Sequence, residues 1–146
     1  MIKQYSYRIL FVCFLVFFSS STCEKNKYQF PSVSIDIYVN LYSQLANLGI
    51  GMFDFYYPNA GVNGLVIYRS FNDEYFVFDR TCTYEPDYSC AVEEDPDNSL
   101  LLKCPCCGSR YLLDDSGEAY VIEGPARYNL VRYHAQIEGT SLHIKN

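Results

Sequence analysis

Five cysteines, Cys82, Cys90, Cys104, Cys106 and Cys107, crowd between positions 82 and 107 of a 146-residue chain. Sulfurs so close in sequence must be shared by a metal, joined in disulfides or kept as buried thiols, and the first two choices tie distant backbone together. The run Cys104-Pro105-Cys106-Cys107-Gly108 contains a Cys-x-x-Cys pair followed by glycine. Such a turn can aim backbone N–H groups at sulfur and stabilise thiolates, which makes it half of a metal site. The other half has to come from Cys82 and Cys90, so the spacing implies two loops gripping one centre.

Which of these states is open to the cysteines depends on compartment, and the N-terminus addresses that. Lys3 and Arg8 precede the apolar run Ile9 to Phe18, and Ser19, Ser20, Ser21 and Thr22 follow it. The run is too short to span a bilayer and has the three-part form of a secretory signal. Residues 1–22 are therefore expected to be a lipoprotein-type signal peptide, with Cys23 lipidated; Ser20 stands where such signals usually carry leucine. The alternative is ordinary cleavage near Cys23. Acyl chains on Cys23 would anchor the protein without a membrane-spanning helix. Cys13 would leave with the signal. The expectation is an exported protein on the periplasmic or outer-membrane side, with residues 23–30 as a polar tether and 31–146 as one domain.

Within that domain Val33, Ile35, Ile37, Val39 and Leu41 alternate with polar or exposed-type residues, a period of two that reads as a half-buried strand. Residues 42–48 suggest one helical turn closed by Gly49. Leu65 to Arg69 and Tyr75 to Asp79 flank a turn and read as a hairpin. Further strands are expected at 100–103, 111–113, 119–122, 130–137 and 142–144, with turns at 115–117 and 138–140. Short strands without a long helical period predict an all-β domain. With 15 Tyr and 10 Phe the chain is far from a disordered composition. A net charge of −6 without a Lys/Arg cluster argues against a nucleic-acid partner.

Three segments then carry a resemblance. Phe78-Asp79-Arg80-Thr81-Cys82-Thr83-Tyr84, Cys104-Pro105-Cys106-Cys107-Gly108-Ser109-Arg110-Tyr111 and Gly124-Pro125-Ala126 resemble the two cluster-binding loops and the proline loop of the Rieske iron–sulfur family. The resemblance implies antiparallel sheets carrying two cluster-binding loops, a 2Fe-2S cluster and an electron-transfer role. Cys82 and Cys104 match the family's thiolate ligands, and Cys106 matches a disulfide cysteine, with Cys90 as its implied partner. Ser109 and Tyr111 match hydroxyls that hydrogen-bond to cluster or ligand sulfur. Both ligand histidines are replaced: Tyr84 stands at the first position and Cys107 at the second. The same Cys-Pro-Cys-Cys-Gly-Ser loop is similar to that of a set of divergent Rieske-like bacterial lipoproteins.

Removing Cys13 and Cys23 leaves an odd number of cysteines, and three arrangements stay open. Cys82, Cys104 and Cys107, with Tyr84 or Cys90, can hold 2Fe-2S. Cys82, Cys90, Cys104 and Cys107 can form a structural zinc site. Two disulfides and one spare thiol, with no metal, can staple an interaction module. Imidazole ligands are what lift Rieske potentials to about −150 to +300 mV, so thiolate or phenolate in their place predicts a lower value.

Glu85, Asp87, Glu93, Glu94, Asp95 and Asp97 read as a solvated acidic loop, with steering of a basic redox partner or calcium binding as alternatives. Met52 to Tyr57 reads as core rather than an exposed aromatic patch. His134 and His143 read as surface or hydrogen-bonded side chains. No nucleophile elbow, phosphate loop or dinucleotide fingerprint is present, so no enzyme is expected, and the partner implied is an unidentified redox protein at the cell envelope.

Overall fold

A computed structural model describes residues 29–56, 59–84, 86 and 90–146. The signal peptide, Cys13, the Cys23 anchor, all but the end of the tether, Tyr57, Glu85 and Asp87 lie outside the described residues. Among the described residues there is no α-helix, and the chain forms ten strands. They are β1 (Asp36–Asn40), β2 (Met52–Tyr56), β3 (Leu65–Arg69), β4 (Tyr75–Asp79), β5 (Glu93–Asp95), β6 (Asn98–Lys103), β7 (Arg110–Leu113), β8 (Ala119–Glu123), β9 (Arg132–Glu138) and β10 (Ser141–Lys145). A six-stranded sheet runs β1-β10-β9-β4-β3-β2, and a four-stranded sheet runs β5-β6-β7-β8. All pairings are antiparallel. The four-stranded sheet is inserted between β4 and β9, neighbours in the larger sheet, so the chain leaves that sheet at Asp79 and returns at Arg132.

β3 and β4 are short continuous apolar runs, so their side chains are apolar on both faces. Leu65 and Ile67 of β3 join Val77 of β4 in one core, with Ile35, Val39, Leu142 and Ile144. Val66 and Tyr68 of β3 join Phe76 and Phe78 of β4 in a second core, which contains Cys82, Cys90, Val92, Leu102, Cys104 and Tyr111. A strand buried on both faces needs a layer on each side. The inserted sheet supplies one layer, and the opposite face is closed by the 41–48 segment, whose Leu45 and Leu48 are buried.

The expected hairpin at 65–79 has the observed bounds, and the later strands fall within two residues of their expected positions. One reading is refined and two are corrected. Residues 42–48 carry no run of helix; Asn40 caps a single turn, its Oδ1 accepting the N–H groups of Tyr42 and Ser43, both at 3.0 Å, and its carbonyl the Gln44 N–H at 3.0 Å, and the chain then continues in turns. The regular part of the first strand begins at Asp36, since only from there does β10 offer partners. The acidic stretch is not wholly solvated: Glu93–Asp95 pairs with β6, and Asp95 is 1% exposed. Arg110 Nε stands 2.6 Å from Asp95 Oδ2 in charge contact, although its N–H is not aimed along a hydrogen-bond line. Lys103 lies 3.9 Å from the same carboxylate.

Candidate metal centre

The site is built where the chain passes between the two sheets. After β4, Asp79 is fully buried and accepts the N–H groups of Val62 at 2.6 Å and Thr81 at 2.8 Å and the Tyr133 hydroxyl at 2.8 Å. This fixes the exit of the first loop. Thr81 bridges Ala91, and the Cys82 N–H donates to the Cys90 carbonyl at 3.0 Å, so the two limbs of the 80–92 loop lie side by side. The second loop joins β6 to β7. Its N–H of Cys104 donates to the Ser109 carbonyl at 2.8 Å, and the N–H of Gly108 to the Cys104 carbonyl at 2.9 Å. Gly108 has φ +77, a left-handed conformation that side-chain-bearing residues disfavour, and it reverses the chain toward β7.

A disulfide joins the loops through Cys90 and Cys106, with Cα atoms 6.3 Å apart. Cys82, Cys104 and Cys107 are free thiols. Their three sulfurs lie within 4.8 Å of one another, the pair Cys82 and Cys107 at 3.4 Å. Cys82 and Cys104 are buried and Cys107 is half-buried, so the group faces outward through one member. Cys104 Sγ also lies 4.0 Å from Cys90 Sγ of the disulfide.

The surroundings treat the sulfurs differently. Burial pushes the Cys82 thiol up to about 12, against the opposing pull of the Tyr84 N–H and the Tyr111 hydroxyl. Burial also acts to raise Cys107, but hydrogen bonds from the Ser109 hydroxyl and backbone N–H and from Cys82 and Cys104 outweigh it, and its pKa is lowered. Ser109 Oγ stands 3.1 Å from Cys107 Sγ and accepts the Ala126 N–H at 3.0 Å. The Cys107 thiol donates to the same oxygen, and once that thiol proton is lost the hydroxyl can turn its own proton to the thiolate, which is how it lowers the pKa. The proline segment presses close enough for the Ala126 N–H to reach Ser109 because Gly124 has no side chain: a Cβ there would meet Ser109 Cα at 2.5 Å.

Tyr111 is fully buried, which raises its pKa strongly, and its hydroxyl stands 3.6 Å from Cys82 Sγ. Thr83 donates its N–H to that oxygen at 3.3 Å, holds its own Oγ1 3.0 Å from it and donates to the Tyr128 carbonyl at 2.5 Å. Thr83 thus ties the first loop, β7 and the proline segment together. Sequence spacing did not single it out, since a threonine beside a cysteine carries no signal until the packing is known. Tyr84 is 47% exposed, and its backbone N–H is the group that addresses Cys82 sulfur.

Clustered thiols are the soft donor set that iron–sulfur centres and zinc share. The residues present therefore fit a metal–thiolate group in donor chemistry. Both histidines lie away from these loops, His134 on β9 and His143 on β10. His143 bridges Asp36 and Glu138 at 2.7 and 2.9 Å.

No family model matches the chain, and no curated protein matches it. Among solved structures the chain is similar to the ferredoxin of carbazole 1,9a-dioxygenase from Nocardioides aromaticivorans IC177, at 15% identity and a TM-score of 0.44, over 77% of this chain and 97% of that chain.

Proposed function

We propose that this chain is a divergent Rieske-like protein that binds a 2Fe-2S centre between its two loops and serves one-electron transfer at the cell envelope. The observation that carries the reading is the group of three free thiols, Cys82, Cys104 and Cys107, drawn from two loops that a fourth and fifth cysteine cross-link. A structural staple alone would need only the disulfide; three unpaired sulfurs in mutual contact are a donor set. In this reading Cys82, Cys104 and Cys107 would hold the centre, with Tyr84, which the sequence places at the fourth ligand position but whose half-exposed side chain is not among the grouped donors, completing the set on binding. The bound centre supplies a one-electron couple.

The chain's own groups do the rest. Ser109 and Tyr111 hold hydroxyls 3.1 and 3.6 Å from Cys107 and Cys82 sulfur, and with those sulfurs as thiolates the hydroxyls would donate to them, stabilise added negative charge and raise the potential from the all-thiolate value near −400 mV. Without imidazole ligands the midpoint stays below the Rieske range. The half-buried Cys107 is the path by which an electron reaches the surface. Export and a lipid anchor at Cys23 belong to the same proposal, supported by the basic start, the apolar run and the small residues before Cys23.

One observation favours a second reading. Thiolates around one zinc at about 2.3 Å stand about 3.8 Å apart, and the three free sulfurs within 4.8 Å of one another suit a single ion; Cys90, expected as a fourth zinc ligand, is instead held in the disulfide with Cys106, which leaves the fourth position to another donor. Anaerobic purification, metal analysis and a visible spectrum separate the two. Iron with visible absorption and a midpoint below about −150 mV supports the electron carrier. Colourless protein holding zinc replaces it with the structural reading, and protein that holds neither metal contradicts both.

A further inference from the structure

The three thiols are not equivalent in access, and that has a chemical consequence independent of which metal they take. Cys107 is half-buried at the surface of the second loop, whereas Cys82 and Cys104 are 2% and 0% exposed. Cys107 sulfur is 3.4 Å from Cys82 sulfur, near van der Waals contact. The loops that carry them are already held together by Cys90 and Cys106, so neither sulfur can drift far from the other. A reachable thiol, hydrogen-bonded to a hydroxyl oxygen and backed by a second thiol in contact, is the arrangement that forms and then resolves a sulfenic acid.

We propose that Cys107 is an oxidation site for hydrogen peroxide, resolved by Cys82 into a second disulfide between the loops. In the first step a Cys107 sulfur lone pair attacks a peroxide oxygen. The O–O bond breaks, one oxygen leaves as water with the thiol proton, and Cys107 becomes a sulfenic acid. In the second step the Cys82 sulfur attacks the Cys107 sulfur, the S–O bond breaks, and the hydroxyl leaves as water with the Cys82 proton. Two electrons pass from the two thiols to hydrogen peroxide, which is reduced to two waters. The new bond consumes two of the three donors and leaves Cys104 alone, so oxidation closes the site to metal. That last consequence rests on the metal-binding proposal; the bond itself does not.

The test uses the full-length, metal-stripped protein with its existing disulfide intact, treated with hydrogen peroxide, denatured, alkylated and mapped by tandem mass spectrometry. Cys82 and Cys107 are expected to be protected and Cys104 alkylated. Cys82→Ser is expected to leave a Cys107 sulfenic acid that dimedone traps. Added zinc is expected to bind the untreated protein at least tenfold more tightly than the treated one. Continued alkylation of Cys82 after peroxide overturns the proposal, as does the absence of a dimedone adduct on Cys107 in Cys82→Ser. If the mapped bond forms but the untreated protein takes up neither iron nor zinc, the oxidation site stands and the metal-binding reading falls. If metal binds but no bond forms, the reverse holds.

Discussion

Ser109 contributes most to the balance at Cys107. Burial acts to hold that thiol neutral, and the Ser109 hydroxyl 3.1 Å away, the Ser109 N–H and the Cys82 and Cys104 thiols together reverse the sign. Ser109→Ala is therefore expected to move the pH dependence of Cys107 alkylation in metal-free protein to higher pH. An unchanged profile would assign the lowered pKa to the backbone N–H and neighbouring thiols instead. At this scale the sequence named the sulfurs, because Cys-Pro-Cys-Cys-Gly is rare enough to stand out. It could not name Asp79 or Thr83, whose roles depend on what meets them across sequence separations of 54 and 28 residues. Nor could it show that Asp95, one carboxylate in an acidic run, would be buried against Arg110.

Elements meet through cross-links of two kinds. The Cys90–Cys106 disulfide closes a loop with a sequence separation of 16. Chain-entropy arguments assign about 3 kcal/mol to a loop of that size. Cys106→Ser is expected to lose about that much in denaturant unfolding; a change near zero would mean that the loops are held by their hydrogen bonds alone. At the far end of the larger sheet, His143 of β10 joins Asp36 of β1 to Glu138 of β9. Glu138 first and then Asp36 raise the His143 pKa above its ordinary 6.5, so its contribution to stability is complete below that value and is lost as pH climbs through the raised one. Glu138 is lowered from 4.5, chiefly by His143, so its contribution is complete above 4.5 and is lost as pH falls through the lowered value. The stability gap between the natural protein and His143→Gln is expected to be wider at pH 6 than at pH 9. An equal gap would mean that the His143 ring contributes by packing on Tyr38, which it stacks at 4.2 Å.

Over the whole molecule, strands are legible where apolar residues alternate, as in β1, because burial of one face dictates period two, or run together, as in β3 and β4, because both faces are covered. β5 was not legible, since Glu93, Glu94 and Asp95 carry no apolar signal and pair only because β6 presents an edge. β2 was read as core without being read as a strand, for its period is masked by four aromatic or apolar side chains among five. The spacing of the cysteines implied two loops at one point. It left the partition among cluster, zinc and disulfides open, because pairing is a matter of distance in space. The four-stranded sheet decides those distances: by leaving the larger sheet at Asp79 and returning at Arg132, the chain stacks the β6–β7 turn over the 80–92 loop. The most direct test is to reconstitute the protein anaerobically with iron and sulfide and count what stays bound. Two irons and two acid-labile sulfides per chain, both lost in Cys104→Ser while Cys90–Cys106 still forms, is the predicted result. Equal binding by the variant, or no uptake by the natural protein, would contradict it.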